Sequence, residues 1–224
     1  WRTVQSLLKG LLRTALDFFA FQTLRLKIFV RPDMLSPPEV RAFPDASKLL
    51  PNRVSLSWEV TALYGMLWQR MGNSERHGPW VRQLTGVEWE SSSQDAFQLP
   101  RALTQRSAQE SLFRDLTGPL IGSSPTSGSP YSWLYNHLGD AHKQVTPRSF
   151  LQAVAQAADL SREESGVWAL EPYALKRGIS RASQIRIDEL NENHPWIAVV
   201  FKPLAGKTLP LHPADWTGLW EEAL

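Results

Sequence analysis

Cysteine is absent from the 224 residues of the chain, which excludes disulfide bonds, thiolate metal sites and a cysteine nucleophile. The five histidines include no group at metal-ligand spacing, so no metal site is predicted. No long hydrophobic run is present either: the apolar stretch 7–21 is too short to cross a bilayer and carries Lys9, Arg13 and Asp17. These absences predict a cytoplasmic protein that does not span a membrane.

Neither sign of charge dominates the composition. There are 24 Lys and Arg against 22 Asp and Glu, a formal net charge of +2 with a pI near 9.0, and no basic run of the kind that follows a phosphate backbone. Tryptophan is abundant, with 10 residues, and large indoles usually lie in packing junctions or at a surface for a partner. With 42% hydrophobic residues, the chain can bury one large core or two small ones.

Catalytic motifs are missing as well. GKT at 206–208 resembles the end of a Walker A loop, but Phe201 stands where the first glycine of that loop belongs, and the following LPLHP does not start a helix. We interpret GKT as a hairpin turn. No GxSxG motif is present, and Ser, His and Asp are too dispersed to nominate a triad. We therefore expect no hydrolase activity in this chain alone, whereas a larger protein containing it could be an enzyme.

The segment RLKIFVRPDM at 25–34 predicts a buried strand over 24–30 that delivers Arg31 to its carboxyl end. A guanidinium in that place can contact a γ-phosphate and report its presence. Asp33 can orient that arginine or cap the loop. Arg31 and Asp33 are therefore the candidates for nucleotide sensing, and the alternative for Arg31 is a solvated arginine at a strand end.

The elements around this strand suggest a sheet that is incomplete within the chain. Apolar residues at helical spacing predict a helix over 3–20, VSLSW at 54–58 alternates as a second short strand does, and a helix is predicted over 59–71. We expect an α/β to mostly α fold that begins with the end of a parallel sheet, two short strands with flanking helices. The preceding strands are absent, and the chain opens at Trp1 without an initiator methionine, which predicts a piece of a larger protein.

The second half is predicted to be helical. The Gly-, Pro- and Ser-rich stretch 118–130 predicts an exposed, mobile loop, and Thr146 and Pro147 predict a helix start. A strand at 196–201, a turn near Gly206 and a closing helix from about 213 suggest a winged-helix region. In that reading Arg177, Arg181 and Arg186 are the candidates for DNA contact, and a wing that packs against a neighbouring domain is the alternative. The predicted parts are 1–72, the carboxyl-terminal part of a nucleotide-binding α/β core; 73–130, a helical and loop connector; and 131–224, a helical and winged-helix-like region.

Several segments resemble the carboxyl-terminal region of large bacterial P-loop signalling ATPases of the STAND or ParA/MinD-like kind. They are LKIFVRPDM, FPDASKLLPNRVSLSW with ALYGMLWQRMG after it, TPRSFLQAVAQAA, and ALKRGISRASQIRIDELNENHPWI. The resemblance implies that the parent protein holds ATP and Mg²⁺, whereas this chain alone holds neither because it lacks Walker A and Walker B. It also implies that Arg31 is the sensor arginine, and it suggests Gly118 and Pro119 as an adenine-proximal segment.

The expected function is the sensor, lid and regulatory part of an ATP-dependent signalling or defence ATPase, which transmits nucleotide state to partner domains. Two alternatives stay open: a protein-interaction scaffold in which exposed tryptophans bind a partner or a second copy, and a winged-helix nucleic-acid-binding module. The expected partner is the remainder of an ATPase chain or a separate protein, and an oligomer is compatible with either.

Overall fold

The computed structural model describes residues 2–89, 99–140, 142–163, 166–208 and 211–221. The structure is 66% helical, and none of these residues lies in a β-strand. It divides into two compact units, Trp1–Leu56 and Ser57–Leu224. The predicted α/β fold that begins with the end of a parallel sheet is therefore wrong, and the chain is an all-helical protein.

The first unit is built on one long amphipathic helix. It contains α1 (Arg2–Asp17) with a 3₁₀ turn (Phe18–Ala20), α2 (Pro32–Leu35), α3 (Pro38–Arg41), α4 (Ala46–Leu49) and a second 3₁₀ turn (Leu50–Asn52). The helix predicted over 3–20 is present as α1, which packs on α3 and α4 and buries Leu8 and Ala15. Val40 and Ala46 complete this small core from the other two helices.

The two predicted strands, 24–30 and 54–58, adopt no helix, turn or strand. Their backbone groups make no backbone–backbone hydrogen bond with any residue that the structure describes. A strand is stable only when its N–H and C=O groups pair with a neighbouring strand. The two predicted strands are therefore wrong: both segments have an alternating sequence, but the described chain provides no strand for either of them to pair with.

The second unit is a larger helical assembly. Its helices are α5 (Val60–Gly72), α6 (Gly78–Thr85), α7 (Arg106–Thr117), α8 (Pro130–Leu138), α9 (Pro147–Glu163), α10 (Pro172–Asn193), α11 (Trp196–Phe201) and α12 (Pro213–Glu221), with 3₁₀ turns at Arg101–Thr104 and Lys202–Leu204. Proline stands at the first position of α8, α9 and α10, where the missing N–H would have no helical partner. The predicted start of α9 is confirmed, because the Thr146 hydroxyl accepts the Ser149 amide at 3.1 Å.

Four aromatic rings from four helices form the centre of this unit. Tyr64 of α5 stacks on Tyr131 of α8 with the ring centroids 4.0 Å apart. Phe113 of α7 and Phe150 of α9 meet Tyr64 edge-on at 4.8 and 4.9 Å. All four side chains are almost fully buried, so they fix the arrangement of α5, α7, α8 and α9.

The predicted wing is also wrong. Its first strand, 196–201, is helix α11, in which Ile197 is buried, and a 3₁₀ turn follows where the hairpin was expected. The Trp220 indole N–H of α12 donates to the Val200 carbonyl at 2.9 Å, so α11 is held by a helix and not by a second strand. Gly206 lies in a turn with φ of 75°, but the hairpin predicted at GKT is wrong, because no described strand flanks that turn.

The link between α9 and α10 gives a pH-dependent prediction. Glu189 accepts hydrogen bonds from Arg148 at 2.7 Å and from Arg186 at 3.2 Å, and these bonds, that of Arg148 first, lower the pKa of Glu189. Because the pKa of Glu189 is lower in the folded protein than in the unfolded protein, its carboxylate stabilises the fold at pH values above the unfolded-state pKa. This contribution is lost as the pH falls through the folded-state pKa.

We expect Glu189→Gln to lower the urea midpoint slightly at pH 7 and less at pH 3, the effect being small because exposed ion pairs are screened. Urea unfolding of both proteins at the two pH values measures this difference. An equal loss at both would show that Glu189 acts by packing and not by charge.

Candidate protein-binding surface

Helix α1 carries more apolar surface than its own unit covers. Val4, Leu7 and Leu11 recur at helical spacing and are exposed, Leu7 by 69%, whereas Leu8 and Ala15 on the adjacent side are buried. An apolar stripe that remains in water is typical of a surface that another molecule covers.

Residues 24–30, here called the first open segment, expose further apolar groups. Even-numbered positions are aliphatic throughout, while odd-numbered positions carry Arg25, Lys27 and Phe29. Leu24 and Leu26 are about half exposed and Phe29 is 82% exposed. This period of two is the pattern of a strand with one apolar face and one mainly basic face.

Residues 53–56, the second open segment, repeat the pattern within the same unit. Val54 and Leu56 are aliphatic and 79% and 76% exposed, and they alternate with Arg53 and Ser55, whose side chains lie 3.4 Å apart. Both open segments therefore combine apolar side chains in water with backbone groups that pair with no described backbone.

The positive charge of the chain is concentrated in the first unit. Residues 1–56 contain nine Lys and Arg against four Asp and Glu, a formal charge of +5, so the +2 of the whole chain leaves −3 for residues 57–224. An apolar surface set among cations attracts an acidic partner and repels a basic one.

The structure places Arg31 at the end of the first open segment and not at the end of a strand. Its side chain is exposed, and its carbonyl accepts the amides of Met34 and Leu35 at 3.1 and 3.3 Å, which starts the short helix α2. The side chain of Asp33 lies outside the described part of the structure. Nucleotide sensing by Arg31 and Asp33 stays a prediction.

Gly118 and Pro119, the adenine-proximal candidates, follow α7 in the second unit. Gly118 is buried with φ of 80°, and a Cβ on it would lie 2.7 Å from the Trp168 ring, so the indole packs directly on the glycine. The loop after it is anchored, because Ile121 is buried and its amide donates to the Gly128 carbonyl at 3.0 Å. This geometry explains the glycine structurally, and the adenine role stays a prediction.

The DNA candidates lie on α10. Arg177 and Arg181 are exposed and four residues apart, so they share a helix face, while Arg186 lies off that face and is bonded to Glu189. The two-stranded wing that the winged-helix prediction requires is not formed, because 196–201 is a helix. DNA contact by these three arginines stays a prediction.

Sequence reasoning missed a buried polar network around Gln109. The Gln109 amide nitrogen donates to the carbonyls of Thr61 and Leu103 at 2.9 and 2.7 Å, and its amide oxygen accepts the Tyr131 hydroxyl at 2.7 Å. The Tyr64 hydroxyl donates to the Tyr131 carbonyl at 2.9 Å. Burial raises the pKa of Tyr64 and of Tyr131, so both stay protonated donors.

One sequence signal pointed to this residue. Gln109 precedes Phe113 by four positions and Thr117 by eight, so it lies on the buried stripe of α7. A fully buried glutamine on such a stripe must find partners for both ends of its amide. The network is therefore part of the core, and it holds α5, α7 and α8 together.

The described ranges contain no group of three or more His, Asp or Glu side chains placed to hold a metal ion. No helix within them is both long and apolar enough to cross a membrane. A shallow groove of about 500 Å³ beside α1 is lined by polar side chains, namely Arg2, Gln5, Ser6, Lys9 and Glu39.

The chain is an all-helical protein whose first unit has a basic, partly apolar exposed surface. Comparison of the chain with protein-family models, with curated proteins and with solved structures gives no match.

Proposed function

We propose that this chain is the regulatory, protein-binding part of an ATP-dependent signalling protein, and that it acts through contacts and not through chemistry of its own. The observation that carries the proposal is the first unit's exposed surface. There, two open segments combine apolar side chains in water with backbone groups that pair with no described backbone. The nucleotide part of the proposal rests on the sequence resemblance to P-loop signalling ATPases.

The energy for binding comes from the exposed apolar side chains. Fully burying a side chain of the size of Val, Leu or Phe contributes about 1.5–3 kcal/mol. Phe29, Val54 and Leu56 are at least three-quarters exposed. A partner that covers them therefore gains nearly all of this free energy. A few anchors of this kind commonly dominate a protein interface.

The position of Arg31 gives the proposal its regulatory element. Arg31 directly follows the first open segment, so a partner that fixes residues 24–30 also fixes the start of α2. A guanidinium held there can make paired hydrogen bonds to a terminal phosphate that the partner binds. Nucleotide state would then bias the bound and released arrangements through that differential contact.

A double substitution in the open segments tests this function. We expect Phe29→Ser with Leu56→Ser to weaken the native complex about 100-fold, because two anchors are lost. The tagged chain is produced in its native host, and the isolated complex is assayed for partner content and for Mg²⁺-dependent ATP hydrolysis. The wild-type complex should hydrolyse ATP, and the double variant should lose both partner and activity.

Two further variants complete the test. Val167→Ser is the matched control, because Val167 is 87% exposed but lies in the second unit, and it should retain the complex. Arg31→Ala should retain the complex and weaken its dependence on ATP. Equal partner content and equal ATP hydrolysis in the wild type and the double variant would overturn the proposed function.

A further inference from the structure

The backbone of the first open segment indicates what kind of partner surface it fits. The inference below concerns the partner that this surface binds, and it rests on the proposed function because that function requires a protein partner. Residues 24–30 form no backbone–backbone hydrogen bond with the described residues. An apolar groove could cover the side chains of this segment but would offer no bonds to its N–H and C=O groups, whereas another extended chain pairs such groups at regular spacing.

The side-chain pattern supports the same partner. Strand addition buries alternate residues on one face of a sheet, and Leu24, Leu26, Ile28 and Val30 supply four aliphatic residues at that period. The β-branched Ile28 and Val30 favour an extended conformation. A helix would scatter these four side chains around its circumference.

A lipid surface does not fit this segment. In the hydrocarbon region of a bilayer every backbone polar group must be satisfied within the protein, which is not the case for residues 24–30 among the described residues. Membrane insertion would therefore leave the backbone of the segment unsatisfied, whereas a sheet edge satisfies it.

A second copy of the same segment fits poorly as well. Antiparallel pairing centred on Ile28 would place Arg25 opposite Arg31, and parallel pairing in register would place Lys27 opposite Lys27. Like charges directly opposite destabilise a strand pair, and cations on an edge are a known obstacle to self-pairing. The same cations favour an edge that carries carboxylates.

We propose that residues 24–30 bind as an added strand to the exposed edge of a β-sheet in a partner protein, with Asp or Glu on that edge facing Arg25 and Lys27. The sheet belongs to the partner, and the chain by itself remains all-helical. Arg25 donates to the carbonyls of Gln22 and Leu24 at 3.4 and 3.3 Å, so a substitution there would also remove these bonds. The charge is therefore tested at Lys27.

The test uses the full chain and two synthetic peptides of equal length, one alternating valine with glutamate and the other alternating valine with lysine. Binding is followed by hydrogen exchange at peptide resolution and by isotope-edited infrared spectroscopy, both without nucleotide. We expect the glutamate peptide to slow amide exchange over residues 24–30 about tenfold or more and to add strand signal. The lysine peptide should do neither at the same concentration.

Variants at Lys27 separate backbone pairing from charge. Lys27→Pro removes an amide donor and should abolish the protection by the glutamate peptide. Lys27→Glu should shift the preference toward the lysine peptide, a gain that misfolding cannot produce. Lys207→Glu makes the same change at an exposed lysine of the second unit and should leave the preference unaltered.

Several results would overturn the inference. They are equal binding of both peptides, protection that survives Lys27→Pro, and binding to anionic vesicles with protection of residues 24–30 in place of peptide binding. Because no arm of this test involves ATP or a native partner, a strand-adding segment would still be detected if the signalling function were wrong. Failure here would equally leave the native-complex experiment intact.

Discussion

Replacing Gln109 by leucine is expected to lower the free energy of unfolding of the second unit by about 3–5 kcal/mol. Leucine is similar in size, but it leaves the Tyr131 hydroxyl and the carbonyls of Thr61 and Leu103 without the bonds that Gln109 supplies. A buried donor or acceptor without a partner costs about 1–3 kcal/mol. Urea unfolding followed by tryptophan fluorescence measures the change.

Two comparisons identify the network as the cause. Gln83→Leu makes the same chemical change at an exposed position of α6 and should alter stability by no more than about 0.5 kcal/mol. Tyr131→Phe removes the hydroxyl that Gln109 accepts, so adding it to Gln109→Leu should cost less than it costs alone. Fully additive losses in the double variant would contradict the network.

The second large effect is expected at Gly178, where the backbones of α9 and α10 approach closely. A Cβ at this position would lie 2.3 Å from the Ala153 carbonyl oxygen and 3.3 Å from the Ala157 nitrogen. These are backbone atoms, so the clash is relieved only if the helices move apart. We expect Gly178→Ala to destabilise the second unit by about 1–3 kcal/mol, although alanine is the better helix former.

The control for this prediction should change stability in the opposite direction. Gly218 lies inside α12, and a Cβ there meets no atom of the described residues within 4 Å. Gly218→Ala should therefore raise stability by up to about 1 kcal/mol through helix propensity alone. Thermal and urea unfolding of the two variants gives both values, and a stabilised Gly178→Ala protein would show that the helices are not in close contact there.

Gln109 and Gly178 differ from the features of this chain that local sequence patterns indicate. The apolar periodicity of 3–20 predicted α1, and Thr146 with Pro147 predicted the start of α9, because helix bonds and caps connect residues that are neighbours in sequence. The stripe of α7 indicates that Gln109 is buried but not which groups it bonds, and no local pattern indicates that Gly178 lies against α9. Their roles depend on Thr61, Tyr131 and Ala153, which come near only when helices distant in sequence pack together.

Strand formation at the candidate surface was not decided by local pattern. Alternation over 24–30 and 54–58 predicted two strands, the first ending at Arg31, whereas the structure has neither strand. The inference from pattern to sheet was wrong, since strand pairing requires a second chain segment. The wing failed for a related reason: 196–201 is apolar enough for a strand, but α12 holds it as a helix through Trp220 and Val200.

The sequence by itself determined the presence of α1 and the start of α9, the absence of cysteine and of a complete phosphate-loop motif, and which short segments alternate apolar with polar or basic residues. These properties depend on composition and on neighbours along the chain. Only the tertiary structure decided that the described chain is helical, that Gln109 joins three helices, and that the open segments keep their apolar side chains in water. Burial and pairing are relations between distant residues, and a local pattern shows that a segment can form a strand but not whether a partner strand is within reach.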